Sequence, residues 1–391
     1  MDTRERALAA LDDDMLVQLT QDLVRIRTIN PPGDEAKAAT FVADWMRQND
    51  MAAELVSHAE DGRASVVGGL DGIGERRAVL FSGHLDTVPA GDNWEHEVLA
   101  ADIDDGKIWG LGTTDMKAGV AAMLVAMRAV KQSGAALKGN LLFAGTAGEE
   151  IESMGARELV REQKLDDVAF MVIGEPTANR VITAEKGVLW LELQAKGQTA
   201  HGSMPHLGIN AIAHMSRLLE ALQAEDIPYE THPLLGDFTM NIATIEGGVK
   251  TNVVPDACRV TIDTRTVIGQ DHQQIMDTVR QLVDRLCAED PTLHIDVRSI
   301  NERVPLDIPF DDPYVQTFVK RRDLVTGGTS EPTAATFATD GSVFVPAYEA
   351  PMVICGPGLP EKAHQPNEYV EISRLLESAR IYTLAALDLL T

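Results

Sequence analysis

Apolar residues recur at helical spacing near the start of the chain, at Leu16, Leu19, Leu23 and Ile26, behind the capping aspartates Asp12, Asp13 and Asp14. Asn30-Pro31-Pro32-Gly33 stops that helix, because neither proline nor glycine readily continues one. A second amphipathic stretch carries Phe41, Val42, Trp45 and Met46. Short apolar runs then alternate with helical ones: strand 78–83, helix 116–131 closed by Gly134, strand 140–146, helix 153–163 and strand 168–174. The alternation predicts an α/β fold, a mainly parallel sheet with helices on both faces.

The rhythm changes after Glu175-Pro176. Residues 188–196 alternate as a half-buried strand, 209–223 reads as helix, 238–246 and 257–266 as strands, 271–288 as helix and 293–299 as strand. The order β-α-β-β-α-β is that of a ferredoxin-like α+β unit. The expected division is therefore 1–180 and 296–391 for one domain, with 181–295 inserted into it and a long final helix at 371–389. No internal repeat, low-complexity tract or flexible linker interrupts this plan.

Composition agrees with such a chain. At 391 residues, 45% hydrophobic, it is long enough for more than one compact domain. No apolar run reaches the length of a membrane span. The acidic start MDTRERALAALDDD lacks a basic stretch followed by an apolar one, so a secretory signal is not expected and the cytoplasm is. Cys258, Cys287 and Cys355, odd in number and widely spaced, make no disulfide framework and read as buried free thiols in a reducing compartment. A formal net charge of −26 excludes nucleic acid and anionic membrane as partners. The same charge can keep the protein soluble, accumulate cations, or reflect a host with high internal salt.

Candidate chemistry lies just behind the predicted strands: His84 and Asp86 in FSGHLDTVP, Asp115 in GLGTTDMKAG, Glu149 and Glu150 in LLFAGTAGEE, Glu175 in MVIGEPT, and His364 in GPGLPEKAHQP. Carboxyl ends of parallel strands share one edge, so these groups can meet in one crevice and hold two divalent metals. His84 and Asp86 point the same way on an extended segment, so Asp86 can orient the imidazole or ligate directly. Asp115 has two oxygens with which to bridge cations, or it can simply cap the following helix; the loop lacks the spacing of a phosphate cradle. Within the Glu149-Glu150 pair, Glu150 fits a ligand and Glu149 a general base, although both also favour a helix N-terminus. Pro176 holds Glu175 in an extended corner. A histidine in a Gly- and Pro-rich loop, as His364 is, can equally be a solvated loop residue.

SGHLDTVPAGDNW, GLGTTDMKAG, AGEE, IGEPT and AHQPNE, in this order and spread over nearly the whole chain, resemble the metal-site segments of the zinc-dependent acetylornithine deacetylase / succinyl-diaminopimelate desuccinylase / aminoacylase / glutamate carboxypeptidase family. The resemblance implies a two-zinc catalytic domain with an inserted lid and dimerisation domain. His84 and Glu175 would bind one Zn²⁺, Glu150 and His364 the other, and Asp115 would bridge them, with Co²⁺ or Mn²⁺ as possible substitutes. Asp86 would orient His84, and Glu149 would be the general acid/base.

GQTAHGSMPHLGINAI is similar to the segment whose histidine, here His201, donates to the substrate carbonyl from the partner subunit of a homodimer. Without the resemblance, His201 reads as a turn residue and His206 as surface. Asn252 in TNVVPD and Arg265 in IDTR match substrate-contacting positions; Arg265 can pair with a substrate carboxylate or make a structural salt bridge. The substrate implied is a small N-acyl amino acid or a dipeptide-like molecule, cleaved under a lid that closes over it. Where the desuccinylase loop commonly has arginine after Asp-Gly, this chain has Ser342. Three rival readings stand beside the deacylase: a glutamate carboxypeptidase or dipeptidase, a non-catalytic metal-binding relative, and a cysteine hydrolase built on Cys355 and His364.

Overall fold

The computed structural model describes residues 1–59 and 62–391. It divides into two compact units: Met1–Thr183 with Ile308–Thr333 and Thr339–Thr391, and Ala184–Asp307 with Ala334–Ala338. The insertion runs past residue 295 because the strand there, His294–Arg303, is ten residues long and is followed by the short strand Leu306–Asp307.

In the first unit a six-stranded sheet has the order Ala52–Ser57, Ala64–Leu70, Leu141–Thr146, Ala78–His84, Val168–Ile173, Met352–Ile354. The last four strands are mutually parallel, whereas the first two pair antiparallel at the edge. The sheet is therefore mixed, with helices on both sides. Its antiparallel pair falls in a stretch whose short, Ala- and Gly-rich runs carry little alternation.

All seven residues of the central strand Ala78–His84 are buried. The helix Ala118–Gln132 packs on this strand and against the final helix Ile372–Leu390. Twelve of its fifteen residues are buried, as suits a sequence apolar almost all round. Asp12 caps the helix Asp13–Arg25 through the Met15 N–H at 2.9 Å, where the acidic run predicted a cap.

Two helices start elsewhere than their periodicity suggests. Residues 113–117 form a wide turn with Asp115 and Met116 outside helical geometry, so the following helix begins at Ala118. The expected helix 153–163 is a single turn, Glu149–Glu152, and a separate helix, Met154–Arg161, divided by Ser153 at φ 54°. Both departures fall where candidate ligands sit.

The second unit is a four-stranded antiparallel sheet in the order Thr239–Gly247, Ala257–Thr266, Gly187–Lys196, His294–Arg303. In chain order the strands stand second, third, first, fourth, the ferredoxin-like arrangement. Leu189, Leu191 and Leu193 alternate onto its buried face with Met215 and Leu218 of the helix Ala211–Ala224 and Val279 and Leu282 of His272–Glu289. Among the described residues no helix is long and apolar enough to cross a membrane.

Candidate metal centre

Four parallel strands end at one edge of the first unit. From Ala78–His84 the chain next pairs on one side, with Leu141–Thr146; from Val168–Ile173 it next pairs on the other, with Met352–Ile354. These two adjacent strands thus send their connections in opposite directions, which leaves a crevice beyond their carboxyl ends. His84 closes one strand and Glu175 follows the other.

Two triads fill the crevice. His84 Nε2 lies 3.0 Å from Asp115 Oδ1 and 3.6 Å from Glu175 Oε1. His364 Nε2 lies 3.3 Å from Asp115 Oδ2 and 3.1 Å from Glu150 Oε2. Within each triad the potential ligand atoms all fall within 4.8 Å of one another. Asp115 belongs to both and gives one oxygen to each. One imidazole nitrogen with carboxylate oxygens on either side of a shared carboxylate is a donor set suited to Zn²⁺, and to Co²⁺ or Mn²⁺.

The backbone places these groups. Gly148, at φ 71°, turns the chain into Glu149, a left-handed conformation that glycine adopts without strain, and a Cβ there would stand 2.5 Å from Arg63 Nη2. The Asp115–Met116 peptide is cis. His364 lies at the solvent side of the crevice, its side chain 51% exposed, while Asp115, Glu150 and Glu175 are 12%, 8% and 7% exposed.

Asp86 stands behind His84. The Asp86 backbone carbonyl is 3.0 Å from His84 Nδ1, with the carboxylate at 3.5 Å. That carboxylate accepts the backbone N–H of Glu149 at 3.1 Å, the N–H of Glu150 at 3.3 Å, and the Asn30 amide at 2.9 Å. It therefore braces both the imidazole and the Glu149–Glu152 turn.

Sequence reasoning gave roles to neither Asn30 nor Glu368. Asn30 reads only as a helix stop. Glu368 lies in the AHQPNE segment, and its Oε1 accepts the N–H groups of Thr114 at 2.7 Å and Asp115 at 3.0 Å.

Burial and crowding set the charge state. Burial and the charge of Asp115 hold the Glu175 and Glu150 carboxyls above the usual carboxylate range, Glu175 well above it. The charge of buried Glu149 raises Glu175 further. Burial opposes the charged form of His84, but Glu175, Asp115 and Asp86 outweigh it and raise the imidazole well above its ordinary value. Hydrogen bonds to Asp115 and Glu150 push His364 up to about 10. Burial works against ionised Asp115, yet the two histidines hold it below the carboxylate range. Such a site takes up protons where it can also take up cations.

The remaining predicted residues lie in the inserted unit. His201 is exposed, pairs in a bridge with Val253, and has Nδ1 2.7 Å from Ser203 Oγ. The Ser203 N–H donates to the same nitrogen at 3.2 Å. Asn252 lies alongside, its carbonyl accepting the Gly202 N–H at 2.8 Å. Arg265 is paired with Asp263, Nε to Oδ1 at 3.0 Å, and Asp263 also accepts from Trp190 Nε1 at 2.9 Å. His206 is exposed.

Ser342, in the first unit, is buried and donates to the Thr339 carbonyl at 2.8 Å, so no cation occupies that loop position. Cys355 is buried with its thiol pushed up to about 12 by desolvation, the wrong state for a nucleophile.

Comparison with known proteins places this geometry among relatives. Residues 80–388 match the model described as peptidase family M20/M25/M40. A probable succinyl-diaminopimelate desuccinylase of Staphylococcus epidermidis is 31% identical, over 96% of this chain and 98% of its own. Among solved structures, human carnosine dipeptidase 1 superposes with a TM-score of 0.80 at 18% identity, covering 100% of this chain and 99% of that one. A dinuclear metal-binding peptidase of Bacillus subtilis gives 0.73 at 15% identity, covering 97% and 98%.

Proposed function

This chain belongs to peptidase family M20/M25/M40 and so hydrolyses amide or peptide bonds; from that premise we propose that it is a two-metal deacylase of N-acyl amino acids, of the desuccinylase or deacetylase kind. The observation that carries the reading is Asp115, whose two oxygens face two histidine-containing triads. His84 and Glu175 would hold one Zn²⁺, Glu150 and His364 the other, and Asp115 both. The desuccinylase relatives support the acyl class of substrate.

When bound, a pair of divalent cations supplies Lewis acidity, polarising an acyl carbonyl and making water easier to deprotonate. Glu149 is the base that takes the proton of the attacking water and returns it to the leaving amine nitrogen. Asp86 holds the Glu149 backbone N–H and so fixes the turn from which the carboxylate projects. His201 is the donor for the developing oxyanion: because Nδ1 accepts the Ser203 N–H, the neutral ring carries its proton on Nε2. Asn252 and Arg265 contact the amino-acid end. The reading includes a cytoplasmic homodimer formed through the inserted unit, with His201 delivered across it.

The test is hydrolysis by the zinc-reconstituted protein of N-succinyl-diaminopimelate, N-acetyl-ornithine, other N-acyl amino acids and dipeptides, with and without chelator. Chelator-sensitive cleavage of an N-acyl amino acid is expected. Preference for dipeptides would replace the deacylase by a peptidase, and no cleavage of any substrate by metal-loaded protein would refute the catalytic reading.

A further inference from the structure

Six carboxylates lie in or beside the two triads (Asp86, Asp115, Glu149, Glu150, Glu175 and Glu368), and one buried lysine stands near them. Lys117 is fully buried and donates 2.8 Å to the Ile26 carbonyl. It stands at the N-cap of the helix Ala118–Gln132, where no side chain caps the helix. A positive charge there opposes the helix dipole, and a buried ammonium is costly unless carboxylates compensate it. Burial lowers its ammonium to about 7, against the opposing charges of Glu368 and Asp86.

Glu368 is 1% exposed, and its Oε1 receives two consecutive backbone donors, Thr114 and Asp115. The neighbouring Tyr369 carbonyl accepts the Thr114 hydroxyl at 2.6 Å. The turn 113–117 that carries the shared aspartate is thus clamped to the segment that also carries His364.

We propose that Glu368 is a positioning residue that keeps the two oxygens of Asp115 divided between the two triads. The proposal rests on the two-metal reading above and deepens it. Releasing the clamp frees the Asp115 loop from the His364 segment, so the Asp115–Glu150–His364 triad suffers first. His84 and Glu175 are anchored independently, on the ends of adjacent strands.

The test is titration of the metal-free full chain with Co²⁺, followed by calorimetry and by the cobalt absorption spectrum. Wild type is expected to bind two ions. In Glu368→Ala, affinity for the weaker ion falls about 10- to 100-fold while the tighter one changes little, as is typical for loss of a group that orients a ligand. The spectrum of the paired ions changes, and kcat at saturating cobalt falls more than KM rises. Glu368→Gln keeps an oxygen facing both N–H groups and recovers most of the second affinity.

Glu368→Asp, which keeps a carboxyl but withdraws it by one methylene, lies between wild type and Glu368→Ala. Wild-type affinities and spectrum in Glu368→Ala overturn the proposal. Should that variant fail to fold, Glu368→Asp decides, and an unchanged second affinity there overturns the proposal. Wild type that binds no pair of Co²⁺ ions is a different result, which removes the two-metal reading itself.

Discussion

Asp86 gives its carboxylate to the Glu149 backbone, Oδ1 accepting that N–H at 3.1 Å, and offers His84 its main-chain carbonyl at 3.0 Å. With Oδ2 taking the Glu150 N–H and the Asn30 amide, no carboxylate oxygen is left over. Asp86→Asn therefore does more than remove a charge: it turns an NH₂ group toward a backbone N–H. A buried polar group left unsatisfied costs roughly 1–3 kcal/mol. We expect Asp86→Asn to be at least as damaging as Asp86→Ala in thermal melting and to weaken metal binding. An Asn variant with wild-type melting would contradict the bracing role.

Glu149 has its backbone fixed by Asp86 and a charge strong enough to raise Glu175. As the proposed base, it would move protons without being needed to hold a cation. Glu149→Gln should keep both metals, measured by elemental analysis, yet lose about 10²- to 10⁴-fold in kcat. Retained turnover with metals loaded would move the base elsewhere.

Much of this centre is legible in the sequence because its candidate ligands follow strands of strong apolar character. AVLF before His84, LLFAG before Glu149 and Glu150, AFMVI before Glu175 and MVIC before His364 need no tertiary information to be read as buried strands. The adjacent edge strands Ala52–Ser57 and Ala64–Leu70 lack that signal and were not foreseen. Asn30 and Glu368 were illegible for another reason: each acts by a hydrogen bond to a residue distant in the chain, and no local periodicity encodes such a partner. The turn at Asp115 likewise reads as an ordinary helix start until its non-helical dihedrals are seen.

Gly119 sits against Gly174, immediately before Glu175. A Cβ on Gly119 would stand 2.2 Å from the Gly174 carbonyl oxygen, and Gly174 is itself tied to the Ser82 carbonyl at 3.0 Å. Neither backbone can yield cheaply in so tightly packed a region. Gly119→Ala should cost about 1–3 kcal/mol of stability, despite alanine's better helix propensity, and should shift the corner that carries Glu175. Thermal melting together with Co²⁺ titration checks this. An alanine variant as stable as wild type would mean that the helix and strand can separate.

Metal removal should leave a pH signature. In the metal-free protein the folded state raises Glu150 and Glu175 above 4.5, and His84 and His364 above 6.5, with His364 reaching about 10. Raised values mean that the folded state binds more protons than the unfolded chain, so this contribution is full at low pH and fades as pH rises through the shifted values. Asp115 and Asp86 shift downward, and their contribution is constant above the carboxylate range. Lys117, lowered to about 7, adds an opposite trend only at higher pH. A bound cation displaces those protons, so its affinity grows as they leave. The melting-temperature difference between zinc-loaded and chelator-treated protein should therefore widen from about pH 5 to about pH 7. Taking the difference cancels titrations elsewhere in the chain. A gap that narrows over that range would mean that the histidines and carboxylates of the two triads do not hold the metal.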